Sequence, residues 1–146
     1  MRTMFASKCC TAGAFILLSL FFCGQSLAAI AVIVHPSNES QFDKTTIERL
    51  FMGKMHSFEN GRAALPLNAT AGSETRELFN QQVIGRSEAQ INAYWSRLLF
   101  TGKGRPPREL SSDSEILSAV AENKDAIGYI ALASVTDAVR VVAEFE

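Results

Sequence analysis

The turn Gly72-Ser73-Glu74-Thr75-Arg76 contains the residue types of an anion site. N–H groups at the start of a helix are unpaired and lie at the positive end of the helix dipole, and hydroxyl side chains there can donate to an oxyanion. Ser73 and Thr75, with the amides from 73 to 75, are therefore candidate ligands, and Arg76 would add charge if it turned inward. Gly72 completes the candidate set. The alternative is that Ser73 only caps the following helix.

No catalytic or metal-binding pattern accompanies this turn in the sequence. Ser73 lacks Gly-x-Ser-x-Gly surroundings, so no hydrolase nucleophile is indicated. The two histidines, His35 and His56, stand in no metal-ligand spacing. No basic tract or aromatic-basic stripe indicates nucleic-acid binding. The sequence predicts a protein that is not an enzyme, with no catalytic residue, metal, cofactor or nucleic-acid partner.

The first 28 residues have the pattern of a signal peptide. Two basic residues precede an apolar run over residues 12–23, and Ser26-Leu27-Ala28 places small residues at the cleavage positions. The run is shorter than the ~20 residues of a membrane-spanning helix. We expect cleavage after Ala28 and a periplasmic product. An uncleaved membrane anchor and lipidation of Cys23 are the alternatives.

Cleavage leaves residues 29–146 as one expected domain, without cysteine because all three cysteines lie in the predicted signal peptide. Its 118 residues carry 12 basic and 15 acidic side chains. The one local concentration of positive charge is formed by Lys103, Arg105 and Arg108, in and after a loop rich in glycine and proline. We interpret it as a solvated loop or, alternatively, as a docking surface for an acidic partner.

Strand and helix patterns alternate along this domain. Residues 30–34 are apolar on both faces, which is typical of a central strand covered on both sides. Strands are predicted at residues 29–34, 64–67, 127–130 and 139–145. Pro66 indicates that the second of these is an edge strand or a brief one. The alternation predicts a single α/β domain.

Capping residues mark the starts of four predicted helices: Thr45 with Glu48, Ser73, Ser87 with Gln90, and Ser112 with Glu115. Gly53 and Gly85 mark two helix ends. The helix after Ser87 has the strongest apolar stripe, and its Tyr94 and Trp95 are expected to pack in the core. The alternative for this aromatic pair is a platform for a sugar or a protein partner.

Five segments in order carry a family resemblance. They are His35 to Asn38; Leu50-Phe51-Met52-Gly53-Lys54 with Phe58 and Gly61; Gly72 to Phe79; Tyr94-Trp95 with Phe100-Thr101-Gly102; and Ala126-Ile127-Gly128-Tyr129-Ile130. The chain resembles, over residues 30–130, the phosphate-binding protein of ABC transporters in the type II periplasmic binding-protein superfamily. The resemblance implies one lobe of that α/β fold, with a central, mostly parallel sheet flanked by helices.

The same resemblance implies how the chain binds and where it differs from the family. Family members close two lobes on the ligand, whereas 118 residues hold only one, so we expect an open half-site. Glu74 stands at the family's middle glycine of the turn. Ala69, beside Asn68, stands where the family has an arginine that would hold phosphate in a fork.

We therefore expect a periplasmic protein that binds phosphate or another small oxyanion at Gly72–Arg76, for an ABC transporter or an associated sensor. The alternative is a non-transport interaction module with a degenerate ligand site, whose partner is a periplasmic or membrane protein. Glu74, Ala69 and the missing lobe favour this alternative.

Overall fold

A five-stranded sheet organises the part of the chain that the computed structural model describes, residues 28–146. The predicted signal peptide, apart from Ala28, lies outside the described residues. The strands are β1 (Ile30–Val34), β2 (Leu65–Ala69), β3 (Arg108–Leu110), β4 (Ala126–Ala131) and β5 (Arg140–Phe145), in the order β3-β2-β4-β1-β5. In this range no helix has the length and apolarity needed to cross a membrane.

Strand direction follows from the connections. Strand β2 is parallel to β3 and to β4, whereas β1 is antiparallel to its neighbours β4 and β5. Four strands therefore run in one direction and β1 runs against them. Parallel neighbours need long crossovers. Helices lie in the chain between β2 and β3 and again between β3 and β4, so the connections from β2 to both of its parallel neighbours contain helices. The expected α/β fold with a mostly parallel sheet is confirmed.

Helices cover both faces of this sheet. They are α1 (Lys44–Phe51), α2 (Glu74–Phe79), α3 (Glu88–Phe100) and α4 (Asp113–Glu122), and α2 continues as a π-helical turn, Asn80–Ile84. Successive residues of a strand point to opposite faces. On β4, Gly128 faces Ile116 of α4, whereas Tyr129 packs against Phe51 of α1 and Phe79 of α2.

Strand β1 lies at the centre of the core. All five of its residues are buried, as the apolar pattern predicted for a strand covered on both sides. Most of the remaining core comes from β4, α1, α2 and α4. Trp95 of α3 is buried as well, which confirms its expected core position.

The N-cap of α1 differs from the predicted one. We expected Thr45 with Glu48, but Asp43 is the cap, and its Oδ1 accepts the N–H of Thr46 at 2.7 Å. Hydrogen bonds from the side chain and backbone of Thr46 hold the pKa of Asp43 below its usual value. The carboxylate is the stronger acceptor, so the helix begins at Lys44. The other three predicted caps are confirmed.

Strand β2 is not an edge strand, so this interpretation of Pro66 was wrong. Strand β2 lies between β3 and β4, but β3 pairs with it only from Leu67 onwards. The N–H of Leu65 points to the β4 side, where it donates to Asp125 O at 2.7 Å. The nitrogen of Pro66 therefore faces the other side, at a point that β3 has not reached, and its missing N–H costs no ladder bond.

Gly128 lies at the closest approach of β4 to α4. A Cβ at this position would be 2.5 Å from Cγ2 of Ile116. We expect Gly128→Ala to lower the free energy of unfolding, measured in urea, by about 1–3 kcal/mol, because a close-packed core cannot accept another methyl group without strain. Ile116→Leu removes the branch that carries Cγ2, so the double variant should recover part of this loss.

Gly61→Ala is the control, because a Cβ there meets nothing within 4 Å while the backbone has φ +80°. It reports the cost of backbone strain alone, about 1 kcal/mol. Strictly additive effects of Gly128→Ala and Ile116→Leu would contradict the predicted clash.

Candidate functional site

The predicted ligand turn lies just after the carboxyl end of β2. Gly72 has φ +79°, a left-handed conformation that glycine adopts without strain. Ser73 is the N-cap of α2, and its Oγ accepts the N–H of Arg76 at 3.3 Å and donates to Thr70 O at 2.8 Å. The capping role considered as an alternative is therefore present, and the hydroxyl proton of Ser73 is used separately in the bond to Thr70 O.

Arg76 points into the protein, where its side chain is 5% exposed. Its guanidinium holds Glu88 at two points, Nε to Oε2 at 3.1 Å and NH2 to Oε1 at 2.6 Å. NH1 donates to Glu109 Oε1 at 2.5 Å and to Ala69 O at 3.0 Å. One cation thus joins α2 to the end of β2, the start of α3 and strand β3.

Glu88 and Glu109 give Arg76 the negative charge and the hydrogen-bond acceptors that a bound anion could otherwise provide. The two-point contact with Glu88 is the fork geometry in which arginine also holds phosphate. Burial by itself lowers the pKa of Arg76, but hydrogen bonds and charge from Glu109 and Glu88 outweigh it and raise the pKa. The guanidinium is therefore a fixed positive charge that two internal carboxylates already occupy.

A second polar group lies beside this cation. The hydroxyl of Tyr129 donates to Asn68 Oδ1 at 3.0 Å and accepts the N–H of Ala69 at 3.3 Å. Its ring stacks on Phe79 with centroids 3.8 Å apart, and Phe51 packs edge-on against both rings. Burial raises the pKa of Tyr129 far above its ordinary value, so the hydroxyl stays protonated and fixes the end of β2.

A cavity of about 420 Å³ opens beside the turn. Thr75 and Glu74 are its only polar side chains among the described residues, and the rest of its wall is aliphatic: Ala28, Ala29, Leu78, Ala131, Leu132 and Ala133. The N–H of Ala131 is taken by Asp113 Oδ2 at 3.0 Å. The cavity therefore offers one hydroxyl and one carboxylate, and no lysine or arginine of residues 28–146 lines it.

The structure brings part of the predicted site together. Gly72, Ser73 and Thr75 share the turn, whereas Arg76 belongs to the internal ion pairs and does not line the cavity. Sequence reasoning missed Glu88 and Glu109, which lie 12 and 33 residues from Arg76 and form no local pattern with it. Across residues 28–146, no three histidine or acidic side chains group as metal ligands.

Arg76 is predicted to matter for stability. Arg76→Met leaves two like charges and the carbonyl of Ala69 without their donor, so we expect the free energy of unfolding in urea to fall by about 2–4 kcal/mol. Glu88→Gln should cost more than Glu109→Gln, because Glu88 is held at two points and its side chain is 32% exposed against 48% for Glu109. Arg86→Met, at an exposed position, is the control and should stay within about 0.5 kcal/mol. Equal effects of Arg76→Met and Arg86→Met would contradict the structural role.

Solved structures of phosphate-binding proteins share this fold. A protein assigned to the phosphate ABC transporter substrate-binding proteins, from Clostridium perfringens and with bound phosphate, matches with a TM-score of 0.62 and 24% identity, over 79% of this chain and 45% of its own. An ABC-type phosphate transport receptor from Vibrio cholerae matches with a TM-score of 0.61 and 18% identity, over 79% of this chain and 46% of its own. PstS from Borrelia burgdorferi matches with a TM-score of 0.58 and 12% identity, over 80% of this chain and 47% of its own. No protein-family model and no curated protein matches the chain.

The chain spans less than half the length of these three proteins. At such identities the likeness establishes the fold. The resemblance inferred from the five sequence segments is confirmed at that level. The chain has the fold of about half of a PstS-like phosphate substrate-binding protein, consistent with a single lobe of it.

Proposed function

We propose that this chain is a periplasmic, non-enzymatic binding protein that takes phosphate or another small oxyanion at the Gly72–Thr75 turn. The observation that carries the proposal is the position of Thr75, whose side chain lines the cavity at the start of α2. Support also comes from the proteins that share the fold, which are named for phosphate transport, one of them with phosphate bound. Use by an ABC transporter or a sensor is part of this proposal.

In this proposal the predicted ligands have different roles. Thr75 donates its hydroxyl, and the amides of Glu74 and Thr75 add two donors at the first turn of α2. Ser73 shapes the turn as the cap. Arg76 supports the end of β2 from inside, so its charge reaches the ligand only over a distance.

Two features limit the strength of this binding. The carboxylate of Glu74 lines the same cavity and repels an anion, and no bidentate arginine compensates. A single lobe also leaves one side of the ligand in water. We expect a dissociation constant of about 0.1–1 mM, which corresponds to roughly −5.5 to −4 kcal/mol.

Isothermal titration of residues 29–146 with phosphate and sulfate tests the proposal. Thr75→Val keeps the shape and removes the hydroxyl, so we expect affinity to fall about tenfold, the value of roughly one charge-assisted hydrogen bond. Glu74→Gln removes the repelling charge and should tighten binding by about two- to fivefold.

Thr45→Val, an exposed threonine in α1, is the matched control and should leave the affinity unchanged. Ser73→Ala is less informative, because losing the cap costs about 1 kcal/mol of stability. If neither the unmodified protein nor Glu74→Gln produces heat with either anion, the oxyanion function is wrong.

The internal pairing of Arg76 favours a second candidate function. Because Glu88 and Glu109 already hold the guanidinium, the lobe keeps its shape without any ligand. Such a lobe is suited to a protein-interaction module for a periplasmic or membrane protein. Charge reversal at Lys103, Arg105 and Arg108 should then weaken capture of that partner, and capture that ignores the reversal would count against this loop.

A further inference from the structure

A groove of about 300 Å³ lies beside the amino end of β2, at the opposite end of that strand from the ligand turn. Most of the residues that line it are apolar, and they include Trp95, Leu65 and the pair Pro106-Pro107. The indole of Trp95 is 6% exposed and fits against Gly53, where a Cβ would be 2.8 Å from the ring. Leu65 is 45% exposed, so part of its side chain is available for contact with a partner.

The charged side chains that line this groove are all basic. Arg105 and Arg108 lie on it together with the imidazole of His56, and no aspartate or glutamate of the described residues does. The domain as a whole carries more acidic than basic groups, so this concentration opposes the overall balance. Neither arginine belongs to an ion pair within residues 28–146.

One carboxylate outside the groove, that of Glu115, interacts with the charge of Arg108 and so competes with a ligand for it. Hydrogen bonds from Ser111 lower the pKa of Glu115, and the charge of Arg108 makes a smaller contribution in the same direction. Glu115 is exposed and does not line the groove, so solvent screens this interaction.

We propose that the groove binds an acidic peptide segment of a partner protein, with one apolar side chain of that segment over Trp95 and Leu65 and flanking carboxylates on Arg105 and Arg108. The combination of charge and apolar surface favours a peptide over a free small anion. A small anion could contact only the arginines. An apolar residue flanked by acidic residues can contact both the apolar wall and the two basic side chains.

This binding site is separate from the oxyanion turn and does not depend on it. The groove shares no residue with the turn or with the cavity beside it. It supplies a surface to the second candidate function, on which this inference rests. Lys103 does not line the groove, so the docking cluster expected from the sequence is reduced here to Arg105 and Arg108.

Trp95 is the only tryptophan of the chain, so all tryptophan emission comes from a residue that lines this groove. The full chain is purified after export and titrated with a blocked peptide of sequence Asp-Glu-Leu-Glu-Asp at low salt. We expect a saturable change in emission that weakens at least tenfold between 50 and 500 mM salt. Replacing the leucine of the peptide by alanine should weaken binding about tenfold, and a Lys-Lys-Leu-Lys-Lys peptide should give no saturable change.

Charge variants separate the groove from general attraction. Arg105→Glu with Arg108→Glu should lower the affinity at least tenfold. Arg86→Glu with Lys124→Glu changes the net charge equally at exposed positions outside the groove and should stay within twofold. Equal losses of peptide affinity in the two double variants would overturn the proposal. Benzoate that binds as tightly as the peptide would also overturn it, because this would indicate a small-anion site.

The remaining outcomes are also decisive. The emission of the protein alone could also change with its concentration. If sedimentation then shows a dimer, a second copy of the protein fills the groove, and the proposal is overturned. Thr75→Val should leave peptide binding unchanged. Phosphate titration of the unmodified protein separates the two proposals. No phosphate binding with the peptide still bound means that only the oxyanion function fails, whereas phosphate binding without peptide binding means that only the groove proposal fails.

Discussion

The arrangement of the domain around its candidate site depends on one buried cation. The guanidinium of Arg76 reaches the last residue of β2, the first residue of α3 and the middle of β3, which belong to three different elements. Strand β3 has only three residues and pairs with β2 alone, so it has little backbone pairing to hold it at the sheet edge. A directional, charge-assisted contact supplies there what a longer strand would obtain from its ladder.

The same contact explains how the fold tolerates a buried arginine. Without a partner, the guanidinium would need a ligand to offset its desolvation. Glu88 and Glu109 are partly exposed, so they keep some hydration while neutralising Arg76. Contacts within the protein therefore fix the position of Arg76 and compensate its charge without a ligand.

Local patterns predicted most elements, and contacts between distant residues account for the errors. The buried strand β1 and the caps at Ser73, Ser87 and Ser112 were correct because each rests on neighbouring residues. Strand β3 was missed because three residues, two of them charged, carry no usable period. The partners of Arg76 were missed for a related reason, since only the completed sheet brings Glu88 and Glu109 beside it. Pro66 misled because its effect depends on where β3 begins.

The reversed direction of β1 has a consequence for how the chain folds. Strand β1 finds its partners only in β4 and β5, roughly a hundred residues later in the sequence. The entropy cost of closing such a long loop must be met before the hydrogen bonds of these strand pairs can form. The five apolar residues of β1 therefore have no strand beside them until β4 or β5 is in place. An N-terminal fragment that ends before β4 would leave β1 without either of its strand partners. We therefore expect the pairing of β1 with β4 and β5 to be a late step of folding, the one that completes the sheet.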